Sequence, residues 1–335
     1  MNVVNRLMPL AQRVFRSLAD GAVHSGEQLA RRHKVSRSAV WKAVGTLQEL
    51  GVSIEAAPRR GYQLLRPVVP LEAARIGAYL APALRSRLRD ADAAWSLAST
   101  NDALMARLPL PAGQFDVLVS EYQTAGRGRR SRPWFAPPGG ALCLSLNWSF
   151  ATLPRQAPAL SLAIGVCARR ALARLTPTPV QLKWPNDLIA NGRKLGGILI
   201  ELQAETGGPA LVVVGIGINC TLGPGTMRRV QKSGTEPIDL AALGLGRVDR
   251  NVLAAELLTQ CVHGLLEFEH HGLAGFAAEW RASDMLLGQV VEVSAPGGPV
   301  VGHARGIDAH GALCVQGTSG LQRFNSGEVS VRPRS

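Results

Sequence analysis

Cysteine is scarce in this chain and badly spaced for bonding. The five cysteines (Cys143, Cys167, Cys220, Cys261, Cys314) are odd in number and far apart, and no Cys-x-x-Cys occurs. Neither a zinc ribbon nor a disulfide framework is suggested. No apolar run approaches the ~18 residues of a membrane span, so no membrane partner is expected. The N-terminus, Met1-Asn-Val-Val-Asn-Arg6, lacks a signal-peptide pattern, which makes the cytoplasm the expected address. Gly215-Ile-Gly217 lacks the third glycine of a dinucleotide fingerprint, and no Gly-Lys-Ser/Thr loop exists, so Rossmann and P-loop sites are excluded. No nucleophile–base pair is evident either. His24 and His33 lie near one end and His303 and His310 near the other, while His263, His270 and His271 fall on an expected surface helix over residues 251–271. Chemistry here must rest on positioning and electrostatics. Lysine, too, is rare. Only Lys34, Lys42, Lys183, Lys194 and Lys232 occur, and arginine supplies the other cations.

The 335 residues suggest two or three domains, and the net charge of +13 is unevenly spread. Residues 1–66 hold eleven Lys and Arg against four Asp and Glu. Such asymmetry points to nucleic-acid binding. In this segment Leu10, Val14 and Leu18 have helical spacing, which predicts a helix over 9–19. Ser25-Gly-Glu-Gln28 is a capping-box signature that opens a second short helix. After a turn at His33-Lys34-Val35, Ser36 caps a third helix that stops at Gly51. Two helices across a tight turn make a helix-turn-helix. Arg37, Ser38, Trp41 and Lys42 are placed to meet bases and phosphates in a major groove. Residues 52–65 read as a hairpin whose tip carries Arg59 and Arg60, a wing that reaches the DNA backbone. Residues 66–70 then form a proline-bearing linker.

The central module is expected over residues 71–283. Its most informative stretch holds Arg127, Arg129, Arg130 and Arg132 within six residues, beside Gly126 and Gly128. Strand-like runs at 115–120 and 141–146 flank it, so it is a loop between buried strands. A solvated surface loop has the same composition. Arginine forks also suit phosphate and carboxylate oxygens. Further along, Ser99-Thr-Asn-Asp102 can cap a helix. Residues 157–175 read as a buried helix, and 209–218 as a buried strand. Asn191-Gly192 between apolar runs marks a hairpin bracketed by Lys183 and Lys194. If that hairpin shares a sheet with the arginine loop, one face gathers cations around a concave site for an anionic substrate.

Four motifs now occur in order behind the winged module: Gln123-x-x-Gly126-Arg-Gly-Arg-Arg130, Lys183-Trp-Pro-Asn-Asp187, Arg193-Lys194-Leu-x-Gly197-Ile-Leu-x-Glu201 and Gly215-x-Gly-Ile-Asn219. Together they resemble the biotin protein ligases. With the first module, the chain is similar to the bifunctional bacterial form that is also a biotin-operon repressor. The likeness covers nearly the whole chain. It implies that biotin and ATP give biotinoyl-5′-AMP and pyrophosphate, and that the acyl group then moves to a lysine of the biotin carboxyl carrier protein of acetyl-CoA carboxylase. It implies that Ser99, Thr100, Asn101 and Gln123 line the biotin pocket. Arg127, Gly128 and Arg129 would cover the acyl chain and adenylate link, while Lys194 holds the carboxylate and phosphate oxygens. Arg127, Arg129 and Lys194 are thus the implied catalytic set. Arg130, Arg132 and Trp134 would lie nearer the nucleotide, and Lys183, Asn186, Asp187 and Asn219 would meet phosphate, metal or ribose. Magnesium is expected to arrive with ATP rather than in a protein cage. Operator DNA and a ligand-linked homodimer are the other implied partners.

Two departures from the family pattern stand out. Ser131 occupies the place of the glycine that usually ends the loop. Residues 221–240 contain no Trp, Phe or Tyr to cover adenine, leaving Val230 and Ile238 as apolar candidates.

Residues 284–335 carry strand candidates at 286–293, 313–316 and 328–331 with turns between them, which suggests a small β-barrel. By its residues the module is either a structural cap or a binding element. The resemblance implies an SH3-like domain that helps bind ATP and the acceptor protein. The expected fold class is α+β multidomain: winged helix-turn-helix, mixed α/β ligase domain, SH3-like barrel. Two other functions share much of this pattern. One is a biotin-sensing repressor without catalysis, and the other is a lipoate or octanoate ligase.

Overall fold

The computed structural model describes residues 3–57, 60–107, 110–204, 208–232, 234–295, 298–326 and 330–333, without the side chains of 3–8, 330, 332 and 333. The first helix, α1 (Val3–Leu18), starts six residues before Pro9, which the sequence reading took as its first position. Proline favours a helix start, but here it sits inside one. Helix α2 (Gly26–His33) is opened by a complete capping box. Ser25 Oγ accepts from Gln28 N at 3.1 Å, and Gln28 Oε1 accepts from Ser25 N at 2.9 Å. Lys34 turns the chain with a φ of 55°, and Ser36 caps α3 (Arg37–Glu49) by accepting from Ala39 N at 3.2 Å. Strands β1 (Ile54–Ala57) and β2 (Gly61–Leu64) pair antiparallel as the expected hairpin. Val14, Phe15, Leu18, Val40, Val44 and Leu47 fill the core of this unit.

The unit is docked, not tethered. Phe15 meets Trp95 at 5.3 Å between ring centroids, and Trp95 meets Tyr122 edge-on at 5.6 Å. The connecting residues are tied down as well. Val68 N donates to Ala19 O, while Arg250 donates to Val69 O and Asn251 donates to Pro70 O.

After short helices α4 (Ala73–Tyr79) and α5 (Pro82–Arg85) comes strand β3 (Leu88–Leu97), then α6 (Thr100–Met105), β4 (Phe115–Gln123) and β5 (Ala141–Phe150). Helix α7 (Leu160–Ala173) leads to β6 (Gln181–Lys183), β7 (Asp187–Ala190), β8 (Arg193–Ala204) and β9 (Ala210–Asn219). These strands make one seven-stranded sheet in the order β3-β4-β5-β9-β8-β7-β6, parallel only between β3 and β4. The expected Asn191-Gly192 turn joins β7 to β8, with φ of 49° and 71°.

Period-two alternation sorts the two faces of this sheet. Leu142, Leu144, Leu146 and Trp148 of β5, with Val212, Val214, Ile216 and Ile218 of β9, pack into the main core. Their neighbours Cys143, Ser145, Gly215, Gly217 and Asn219 are small or polar and belong to the opposite face. That face is where a ligand can approach the backbone.

Helices α8 (Pro224–Lys232), α9 (Arg250–His271) and α10 (Ala277–Ser283) complete the module. The sequence reading placed residues 251–271 on the surface. Helix α9 is instead a core helix, with Leu253, Leu257, Leu258, Cys261 and Leu265 fully buried. Only a narrow side, including His263, His270 and His271, faces solvent. All five cysteines are buried and free.

The chain closes with β10 (Val290–Ala295), β11 (Gly298–Ile307), β12 (Leu313–Gly317), β13 (Gly320–Phe324) and β14 (Ser330–Pro333). They form an antiparallel five-stranded sheet in the order β13-β12-β11-β10-β14. Val291, Val293, Leu313 and Val315 join the same hydrophobic core as the central sheet. Trp184 Nε1 crosses between the two, donating to Gly311 O at 3.0 Å. Among the described residues, no helix is long and apolar enough to cross a membrane.

Candidate active site

A cleft of about 630 Å³ opens on the small-residue face of the seven-stranded sheet. Ser99, Thr100, Asn101, Gln123, Arg127, Gly128, Arg129, Arg130, Arg132, Trp134, Lys183, Asn186, Asp187, Lys194 and Asn219 all line it. The structure therefore brings together every residue that the sequence reading placed at a small-molecule site.

The glycines of β9 are there for space. A Cβ at Gly215 would lie 2.3 Å from Asn101 Oδ1, and one at Gly217 would lie 2.6 Å from the Trp134 ring. Ser99 caps α6 by accepting from Asp102 N, which aims Thr100 and Asn101 into the cleft. A polar chain then fixes them. Gln123 Oε1 accepts from Thr100 N at 2.7 Å, and Ser145 Oγ donates to Asn101 Oδ1 at 2.6 Å. Asn101 Nδ2 in turn donates to Glu201 Oε2 at 2.8 Å.

On the opposite wall, Lys194 Nζ lies 2.6 Å from Asp187 Oδ1. The Lys194 backbone is held on both sides, its N–H donating to Glu236 O and its carbonyl accepting from Ile238 N. Two of the assigned nucleotide contacts make backbone bonds instead of pointing free amides into the cleft. Asn186 Nδ2 donates to Ile198 O at 2.7 Å, and Asn219 Nδ2 donates to Ile238 O at 3.0 Å.

The arginine loop is a closed structure. Gly128 N donates to Arg132 O and Trp134 N donates to Gly126 O, both at 2.8 Å. The Arg127 guanidinium binds Asp102 and, at 2.8 Å, Glu201. Its hydrogen bonds to Asp102 and then to Glu201 raise its pKa. Burial lowers that of Arg129, partly offset by Asp187. Arg130 and Ser131 both adopt left-handed backbone, with φ of 56° and 54°. Ser131 thus holds a conformation that glycine adopts without strain. Ser131→Gly is expected to leave stability within about 1 kcal/mol, because relief of strain and added chain entropy oppose each other. The effect should appear instead as faster tryptic cleavage within residues 127–132, and an unchanged cleavage rate would contradict it.

No aromatic of residues 221–240 is available, but the other wall supplies two, Trp134 and Phe135. Arg229 of α8 sits 4.0 Å above the Phe135 ring. Val230 lines the cleft, whereas Ile238, the other apolar candidate, is fully buried outside it. Sequence reasoning missed Asp102, Phe135, Ser145 and Glu201. Ser145 was signalled by the alternation of β5, and Asp102 and Glu201 lay inside motifs already noticed. Their pairing with Arg127, across 25 and 74 residues, was not.

In the first unit Arg37, Ser38, Trp41 and Lys42 are all exposed along α3, and Trp41 is 66% exposed. Arg60 is exposed at the hairpin, while Arg59 lies outside the described residues.

Comparison with known proteins sets this arrangement among relatives. Residues 15–63 match an HTH domain, 96–219 the Biotin/lipoate A/B protein ligase family, and 286–332 the Biotin protein ligase C terminal domain. The chain is 39% identical to the bifunctional ligase/repressor BirA of Salmonella typhimurium over 94% of its own length and 95% of that protein's. The chain belongs to the biotin ligase/repressor family. It is also 38% identical to the Escherichia coli BirA over the same shares of each chain. The biotin protein ligase of Aquifex aeolicus, solved in complex with biotin and ATP, superposes with a TM-score of 0.61 at 25% identity. That match covers 73% of this family member and all of the Aquifex chain. The winged helix-turn-helix at the front, the mixed sheet in the middle and the antiparallel sheet at the end are the architecture of the family.

Proposed function

We propose that this chain is an ATP-dependent biotin protein ligase that also represses transcription. The observation that carries the reading is the cleft itself. It has a polar far end at Ser99, Thr100, Asn101 and Gln123, an ammonium at Lys194 and an arginine loop over the opening. Biotin's ureido ring needs fixed polar partners, and the hydrogen-bonded α6–β5 network offers them. The biotin carboxylate attacks the α-phosphorus of ATP, and pyrophosphate leaves. Lys194 and Arg129 neutralise the charge that gathers on the carboxylate and phosphate oxygens. Arg130, Arg132 and Trp134 face the nucleotide, with Lys183 and Asp187 toward the phosphates. ATP enters as its magnesium complex. Asp187, a carboxylate lining the cleft, would meet that magnesium, which would offset phosphate charge. A mixed anhydride hydrolyses readily, so the loop excludes water until the carrier lysine amine attacks the acyl carbon and AMP leaves.

The acceptor is the biotin carboxyl carrier protein of acetyl-CoA carboxylase, met in the cytoplasm. The boundaries 1–66, 71–283 and 284–335 divide the labour among DNA binding, catalysis and a terminal sheet that supports ATP and acceptor. Labelled biotin displaced by excess biotin but not by lipoate supports this substrate; equal displacement by lipoate overturns it.

The repressor reading rests on Arg37, Ser38, Trp41 and Lys42 standing together on α3, with Arg60 exposed at the hairpin. Operator half-sites are read by a homodimer that forms when the adenylate is bound. Lys42→Ala is expected to weaken binding to all DNA sequences and to lower the slope of log affinity against log salt by about one. Filter binding across a salt series measures this, and an unchanged slope removes Lys42 from the phosphate contacts.

A further inference from the structure

Three of the five N–H donors of the Arg127 guanidinium are taken by carboxylates. These belong to Asp102 on α6 and Glu201 on β8. The second carboxylate oxygen of Glu201 accepts from Asn101 Nδ2, and Asn101 Oδ1 accepts from Ser145. A single arginine therefore ties the loop to the polar floor of the cleft through two carboxylates. Lys194, which also lines the cleft, is held by one carboxylate, Asp187, whereas Arg127 is held by two. The carboxylates also set a direction. A bidentate arginine pair resists sliding in its plane, so it fixes the orientation of the loop as well as its position.

We infer that Arg127, Asp102 and Glu201 form a latch that holds the arginine loop against the pocket floor, and that Asp102 and Glu201 are positioning residues for it. Loop opening is then the rupture of this latch. The same rupture loosens Asn101 through Glu201, so an open loop also means an unformed pocket end. Ligand at that end, by ordering Asn101, favours the latched state. The inference rests on the ligase reading only for the identity of the ligand beneath the loop.

Amide hydrogen exchange in the full chain tests the latch without any ligand. The amides of Gly128 and Trp134 report closure, because their bonds to Arg132 O and Gly126 O close the loop. Asp102→Asn and Glu201→Gln should each speed their exchange about tenfold, the scale of one lost charge-assisted hydrogen bond. Exchange in β9 should stay as in the parent, which shows an intact fold. Arg127→Gln removes both arms, so it should speed exchange more than either carboxylate variant and gain nothing when combined with either. Should a carboxylate variant not fold, Arg127→Gln alone gives the same reading. Unchanged exchange at Gly128 and Trp134, or fully additive double variants, overturns the latch. Faster exchange in a protein that never makes adenylate upholds the latch and defeats the ligase reading instead.

Discussion

Replacing Lys194 by alanine is expected to slow adenylate formation by about 10²–10³-fold, the usual effect of removing one preorganised donor from a site where charge develops. The residue is chosen by geometry. Its ammonium lies across the cleft from the arginine loop, and it is one of five lysines in the chain. An ammonium is a compact point charge that can follow a carboxylate oxygen as it becomes the bridging oxygen of an acyl phosphate, which a planar guanidinium does less well. The fold should survive the change. The backbone bonds from Lys194 to Glu236 and Ile238 do not involve the side chain, and Asp187, its ion-pair partner, is about a quarter exposed and can take up water. Single-turnover measurement of pyrophosphate separates this loss from any effect on acyl transfer. A variant that forms adenylate at the parent rate removes Lys194 from the chemistry.

Replacing Glu121 by alanine should cost stability rather than chemistry, by about 3–5 kcal/mol. Arg250 is 1% exposed, and its charge is balanced at 2.7 Å by Glu121. Its other hydrogen bonds go to the carbonyls of Ala141 and Val69. Glu121 also accepts from Leu71 N and Gly139 N, so the same carboxylate holds the segment between the winged unit and the sheet. Removing it leaves a buried guanidinium unpaired and two backbone donors without acceptors. The thermal midpoint should fall by on the order of 10 °C. Joint replacement of Glu121 and Arg250 by Leu and Met should cost less than the single change, since no buried charge is left unpaired, although the amides of Leu71 and Gly139 still lose their acceptor. Calorimetry of the single and double variants distinguishes the two cases. A single variant with the parent midpoint means that the pair is not the anchor described above.

What could be read in advance followed from local rules. The capping box at Ser25, the cap at Ser36 and the Asn191-Gly192 turn each depend on residues no more than three apart, and each stands in the structure as expected. Gly215-Ile-Gly-Ile-Asn219 likewise showed a strand, and its alternation separates a ligand face from a core face. Two elements gave weaker signals. Strand β3, with Asp90 and Asp92 on a half-exposed edge, has no clean apolar period. Helix α9 carries apolar residues on several sides, interrupted by histidines, and its buried character comes from packing against α7. Long-range pairings left no local trace. Asp102, Arg127 and Glu201 are each ordinary charged residues until the sheet brings β8 beside α6. Phe135 was hidden for the same reason, whereas its neighbour Trp134 ended the arginine-loop motif. Residues 221–240 have no aromatic ring, and Trp134 and Phe135 line the cleft from the strand-to-strand loop.

The central claim is that this cleft joins biotin to AMP. Release of pyrophosphate from magnesium ATP by the full-length chain, followed with and without biotin, tests it most directly. The account predicts a burst of pyrophosphate that requires biotin, is not elicited by lipoate, and is lost in Lys194→Ala. Pyrophosphate release that ignores biotin, or no release at saturating biotin and ATP, would contradict it.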